Sequence, residues 1–255
     1  MKIGVVGLGL IGGSIFKALT AMDKYSVIGV SSSVKEENVS DDYYTLKGCD
    51  LVFVCSPMSA TLEVLDKLNN ILDSRTLVTD VCSLKEFVSK KKYNFKFIPS
   101  HPMAGTEHSG WDNSFPELFE GANWAITPID GEILPEQELL EDIINELGAK
   151  TIITTAEEHD KAVAMISHFP LVVAQALCET IKDNKLAQAL ASSGFKDTTR
   201  LALSNTQMAS DMVELNQENI KSAYKVFQNC FENIINNDYR QNADRIKEFR
   251  KNLYN

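Results

Sequence analysis

Apolar and polar positions change rhythm along the chain, and the change comes near residue 155. Before it, short β-branched runs alternate with stretches of helical spacing. Lys2–Val6, Ser26–Val30, Leu51–Cys55, Thr76–Thr79 and Lys96–Ile98 read as strands, each a brief apolar run bounded by polar or turn residues. Ser14–Met22, Ala60–Leu72 and Leu84–Lys91 carry helical patterns between them. Asn123–Thr127 and Thr151–Ile153 are further strands around a helix at about Glu136–Leu147. Such alternation predicts an α/β domain, a mostly parallel sheet with helices on both faces. Ser31–Gly48 is short and polar, so the usual crossover helix after the second strand is expected to be reduced or missing.

From about Ala156 the strand signals stop. Glu157–Ile181 is a long helical pattern interrupted by Pro170, which removes a backbone donor and predicts a kink. Around Ala162–Leu177 the pattern is apolar on nearly every face, which predicts burial against a second subunit and hence a homodimer. Ser167, His168, Pro170 and Gln175 make the same stretch a poor membrane span. Lys185–Ser192, Thr206–Val213 and Glu218–Leu253 complete an all-helical second domain. The expected division is 1–154 for the α/β domain and 155–255 for a helical substrate and dimerisation domain.

Gly7-Leu8-Gly9-Leu10-Ile11-Gly12 fits G-x-G-x-x-G between the first strand and the first helix, the context that gives the pattern meaning. Gly7 permits the tight turn, Gly9 lets the backbone approach a pyrophosphate, and Gly12 lets helix and strand pack closely. The helix N-terminus adds free N–H groups and a favourable dipole for phosphates. These residues predict an N-terminal Rossmann domain holding a nicotinamide dinucleotide. Ser31, Ser32 and Ser33, after the second strand, and Cys55, Ser56 and Pro57, after the third, are its further expected contacts. No acid stands at the tip of the second strand. Hydroxyls with Lys35 close behind suit a 2′-phosphate, which favours NADP over NAD.

The formal net charge of −10 argues against nucleic acid and against an acidic membrane surface, since both call for a basic footprint. An anionic small molecule would have to be captured by a local cluster of cations. The five cysteines are scattered without metal-ligand spacing, which points to reduced thiols in a cytoplasm and to no bound metal. The opening MKIGVVGLGLIGG does not read as a signal peptide, because glycines break its apolar run.

Two more loops follow strands where a doubly wound sheet puts its ligands: Asp80–Lys85 and Ser100–Glu107. Oxidising an alcohol requires an acceptor for the hydroxyl proton while hydride leaves. A neutral imidazole serves near pH 7, and His101, followed by a proline, is the best-placed base. Ser83 could hydrogen-bond the same hydroxyl. Lys85 and Lys196 could help to attract an anion but read first as surface charges, Lys90-Lys91-Lys92 as a solvated helix end, and Trp111 and Trp124 as packing residues. His168 could satisfy carbonyls freed at the Pro170 kink, and His108 has no evident task.

GLGLIGGS, TDVCSLK, SHPMAGTEHSG, HDKAVAMISHFP and SSGFKDTTR occur in this order. Together they resemble the prephenate/arogenate dehydrogenase family of tyrosine biosynthesis. That resemblance implies oxidative decarboxylation of a cyclohexadienol to a phenol. It also implies a catalytic His101, Ser83 as its partner, Glu107 at the site's edge and Arg200 on a substrate carboxylate. His159 and Asp160 correspond to an active-site pair, and Ser167 to a nearby gating serine. Leu171 and Ala209 stand where some prephenate-specific members carry a histidine and a tryptophan, which brings arogenate in beside prephenate. The rival readings are a β-hydroxyacid dehydrogenase, which would rely on a lysine in its helical domain, and a non-catalytic nicotinamide-sensing regulator.

Overall fold

The computed structural model describes residues 1–106, 108–131 and 134–254. They form two compact units, Met1–Val163 with Leu203–Leu215, and Ala164–Ala202 with Asn216–Asn255.

In the first unit β1 (Lys2–Val6), β2 (Ser26–Val30), β3 (Val39–Ser40), β4 (Leu51–Val54), β5 (Leu77–Asp80) and β6 (Lys96–Phe97) form one parallel sheet in the order β3-β2-β1-β4-β5-β6. The central strands are near-continuous apolar runs because both faces are covered. Along β4, Leu51 and Phe53 enter one core with Ile15, Leu19, Ile143 and Ile144, while Val52 and Val54 enter another with Leu65 and Leu68. Those cores are closed by α1 (Leu10–Thr20), α2 (Met58–Asn69) and α3 (Gln137–Glu146). Between β2 and β4 there is no α-helix, only β3 and a single 3-10 turn at Tyr43–Leu46, as the polar Ser31–Gly48 segment predicts.

The expected single sheet is two. β7 (Ser100–Pro102), β8 (Asn123–Ile126) and β9 (Lys150–Ile153) make a separate sheet, with β7 antiparallel to β8 and β8 parallel to β9. His101 therefore lies in a strand, paired with Ala125, rather than in a loop. The helix expected at Leu84–Lys91 is reduced to a 3-10 turn at Val88–Lys90. There Lys85 points into the protein instead of outward, and its N–H and that of Glu86 go to the Asp160 carboxylate. The first unit also contains α4 (Ala156–Val163) and α8 (Thr206–Leu215), and Asp211 of α8 accepts the N–H of Ser59 at the start of α2, at 3.2 Å.

Among its described residues the second unit has helices as its only regular elements. A π-helical turn, Ala164–His168, leads into α5 (Phe169–Thr180), which carries Pro170 in its first turn. The expected disturbance at Pro170 thus takes the form of a widened turn, which absorbs the missing donor. His168 is buried there, with Nδ1 3.1 Å from Asn216 Nδ2. Then come α6 (Lys185–Leu190), α7 (Ser193–Thr198), α9 (Gln217–Asn236) and α10 (Tyr239–Leu253). The single helix expected over Glu218–Leu253 is broken at Asn237, whose backbone is extended, and Asp238 caps α10 by accepting from the Gln241 N–H at 3.0 Å.

Candidate active site

The first βα turn has the shape its glycines predict. Gly7 adopts φ +86°, and a Cβ there would lie 2.8 Å from the Cys55 carbonyl oxygen. At Gly12 a Cβ would meet the Gly7 carbonyl oxygen at 2.0 Å. Around Gly9, the N-cap of α1, a Cβ would touch nothing within 4 Å. Two glycines are thus required by packing, while the third faces open space at the positive end of an eleven-residue helix. That cradle fits the pyrophosphate of a dinucleotide, with Leu8 buried beneath and Leu10 and Ile11 in the first turn of the helix. Beyond β2, Ser31 Oγ accepts the N–H groups of Ser33 and Val34 at 3.3 and 3.2 Å. Ser32, Ser33 and Lys35 remain exposed around this turn.

A continuous set of contacts leads from this turn to His101. Gly7 packs on Cys55 and Ser56. Ser56 Oγ is 3.1 Å from Thr61 Oγ1, which is 3.0 Å from Cys82 Sγ, and the Cys82 N–H donates to Asp80 Oδ2 at 3.0 Å. Burial pushes the Cys82 thiol up to about 12 and the Cys55 thiol well above its ordinary value. Burial thus works against a thiolate at either position near neutrality. Pro57, next in the loop, is exposed.

Lys85 is fully buried, which corrects its reading as a surface charge. Its ammonium donates to Asp80 Oδ2 at 2.5 Å and to the Ser100 carbonyl at 2.6 Å. Ser100 Oγ in turn donates to the Asp80 carbonyl at 2.9 Å and accepts from Trp124 Nε1 at 2.9 Å. His101 follows Ser100 directly and is half-buried. Its Nδ1 lies 2.9 Å from His159 Nε2, and His159 Nδ1 lies 2.8 Å from Asp160 Oδ1. Asp160 also accepts the N–H groups of Lys85 at 2.8 Å and Glu86 at 2.9 Å. Ser83, half-buried, belongs to the loop that Asp160 grips.

The first unit therefore gathers Gly7–Gly12, Cys55–Pro57, Ser83, His101, His159 and Asp160. Ser167 and Arg200 belong to the second unit, Ser167 half-buried in the π turn and Arg200 exposed at the start of a 3-10 turn after α7. Glu107 lies outside the described residues. Lys196 and Lys90, Lys91 and Lys92 are exposed, and His108 is exposed with its N–H on Thr106 Oγ1. Trp124 is a core residue, whereas Trp111 is half-buried beneath the Lys17 ammonium. Sequence reasoning passed over Asp80. An acid closing an otherwise apolar strand, five positions before a lysine, was the available signal.

Comparison with known proteins gives a consistent picture. Residues 20–153 match the family described as prephenate dehydrogenase, nucleotide-binding domain, and residues 155–252 match prephenate dehydrogenase, dimerization domain. The chain is 31% identical to a prephenate dehydrogenase of Lactococcus lactis, over 97% of this chain and 74% of that protein. Among solved structures, it resembles an arogenate dehydrogenase from Synechocystis, with TM-score 0.80 and 31% identity over 99% of this chain and 97% of that one. It also resembles the prephenate dehydrogenase of Aquifex aeolicus in complex with hydroxyphenyl propionate and NAD+, with TM-score 0.81 and 26% identity over 99% and 96% of the two chains.

Proposed function

The chain belongs to the prephenate dehydrogenase family, whose members are oxidoreductases, and from that membership we propose that it oxidatively decarboxylates prephenate or arogenate, giving 4-hydroxyphenylpyruvate or tyrosine. We read 1–154 as the cofactor domain and 155–255 as the substrate and dimerisation domain. The observation that carries the reading is the hydrogen-bonded series His101–His159–Asp160. An ionised Asp160 can only accept, so His159 Nδ1 carries the proton between them. A neutral His159 then presents Nε2 as an acceptor, and His101 must donate from Nδ1. This tautomer, assigned from the network, leaves the lone pair of a neutral His101 on Nε2, the form a general base needs.

A nicotinamide dinucleotide held in the Gly7–Gly12 cradle would supply the hydride acceptor. His101 Nε2 takes the proton of the ring hydroxyl as the C–H electron pair departs as hydride and the carbon becomes a carbonyl. The imidazolium so formed keeps its Nδ1–H on His159, and Asp160 stabilises the charge through that ring. The bond to the ring carboxylate then breaks, CO2 leaves, and the electron pair completes the aromatic ring. His101 returns its proton to the phenolate oxygen, so the base ends neutral. In this reading Ser83 orients the hydroxyl and Arg200 binds a substrate carboxylate through its planar fork, while Glu107 and Ser167 keep the roles that the family resemblance implies. The exposure of Arg200 within its own unit supports a ligand-binding role.

The exposed Ser32, Ser33 and Lys35, with Ser31 turned back to the chain, favour NADP over NAD. Leu171 and Ala209 are both buried and apolar, which supports arogenate as a substrate beside prephenate. A homodimer is supported by Met165, Ile166, Phe227, Phe231 and Phe249, all exposed on the helical unit. By length and composition the run Ala156–Thr180 could cross a membrane, but its first turns bury His159 and Asp160 in hydrogen bonds. We take this run as interior and interface, in a cytoplasmic enzyme whose five thiols are free.

The test is formation of reduced nicotinamide with prephenate and arogenate crossed against NAD and NADP. Turnover of at least one pair is expected, with NADP preferred. Cofactor binding without turnover of either substrate would overturn the reading. The same preparation is expected to sediment at twice the 28.4 kDa chain mass, and a single-chain mass at micromolar concentration would remove the dimer.

A further inference from the structure

We infer that Lys85, buried against Asp80, is a positioning residue for the base, fixing both ends of the His101–His159–Asp160 series at once. This rests on the reading of His101 as that base. Side chain and backbone of Lys85 act on different partners. The ammonium holds the Ser100 carbonyl at 2.6 Å, which is the peptide immediately before His101 in β7. The backbone N–H, with that of Glu86, holds the two oxygens of Asp160 at 2.8 and 2.9 Å, and Asp160 orients His159. One residue thus links the strand carrying the first imidazole to the carboxylate that sets the second.

Stability alone is a poor explanation for the pair. Both side chains are fully buried, and Asp80 Oδ1 has no hydrogen-bond partner among the described residues. Desolvating two charges carries a penalty that their attraction returns only when every lone pair is satisfied, and apolar replacements of equal size are often neutral or better. What the ions supply here and apolar side chains could not is direction. An ammonium anchored by a carboxylate at the end of β5 can grip a carbonyl in a second sheet. The Asp80 carboxylate also receives the Cys82 N–H, so the loop bearing Ser83 is set by the same strut.

The geometry of the base should therefore depend on this pair more than the fold does. Lys85→Met alone leaves Asp80 buried without its cation and could unfold the protein, so the decisive variant is the neutral double substitution Lys85→Met with Asp80→Asn. Ring-nitrogen NMR on the holoprotein, with NADP bound, reads the tautomers of the four histidines, each assigned by its own substitution. In the wild type His101 and His159 are expected as fixed Nδ1–H tautomers. In the double variant both are expected to move to averaged shifts, with NADP affinity retained. With whichever substrate turns over, kcat is expected to fall roughly 10- to 100-fold with little change in KM, the size of loss that follows from a small misplacement of a reacting group.

Wild-type tautomers retained in a folded double variant would overturn the positioning role, whatever the substrate proves to be. A double variant that cannot fold or bind NADP would overturn it as well, by making the pair structural. A wild type that turns over neither substrate while its histidine tautomers still depend on Lys85 would refute the proposed reaction and leave the strut standing.

Discussion

At the scale of single residues, the three glycines of the first turn have separable tasks. Gly12→Ala drives a Cβ against the Gly7 carbonyl, a backbone atom that cannot step aside, and is expected to lower stability by about 3 kcal/mol or more. Gly9→Ala adds its methyl to open space and is expected to leave Tm unchanged while weakening dinucleotide binding at least about tenfold, or ~1.4 kcal/mol. Thermal melts and cofactor titrations separate them, and an unaltered affinity for Gly9→Ala would show that the dinucleotide does not approach there. The backbone shape of this turn was legible in the sequence because glycine spacing encodes it directly. Lys85 was not. Its burial depends on Asp80, an acid at the end of β5 that was a faint local signal, and on a carbonyl in another sheet that leaves no trace in local pattern.

Among the elements, the legible ones were those whose pattern is complete within a short window. β1 and β2 fall on the expected residues because each is a brief run of apolar positions packed on both faces. The misread elements were decided from outside themselves. β7 is three residues long and exists through its pairing with β8, so Ser100–Pro102 carries no strand signal of its own. The break between α9 and α10 was missed because apolar spacing continues across it. Asn237 and Asp238 spell a helix stop and an N-cap that periodicity does not register. At Pro170 the presence of a disturbance was readable but not its form, since a kink and a π turn both answer the same missing donor.

For the whole molecule, the two-part organisation and the shape of the glycine turn could be read in advance, whereas the arrangement of His101 on His159 could not, because they lie fifty-eight positions apart. The buried thiols give the molecule an alkaline limit. Burial pushes Cys49 up to about 11 and Cys82 to about 12, from 9.0. The unfolded chain loses these protons first, so it binds fewer protons than the folded one above pH 9, and stability must fall as pH rises from there towards 11 or 12. The slope approaches about 1.4 kcal/mol per pH unit for each thiol. Denaturant melts between pH 8 and 11 check this, and a Cys49→Ala, Cys82→Ala variant with the same slope would contradict it. The central claim, that His101 runs an oxidative decarboxylation, meets its most direct test in a paired measurement on wild type and His101→Asn. CO2 and reduced nicotinamide are followed together under substrate saturation, and cofactor affinity is measured separately. Wild type is expected to release one CO2 per nicotinamide reduced, and His101→Asn to lose roughly 100- to 10,000-fold in kcat with cofactor binding intact. Full activity in the variant, or nicotinamide reduced without CO2, would contradict the account.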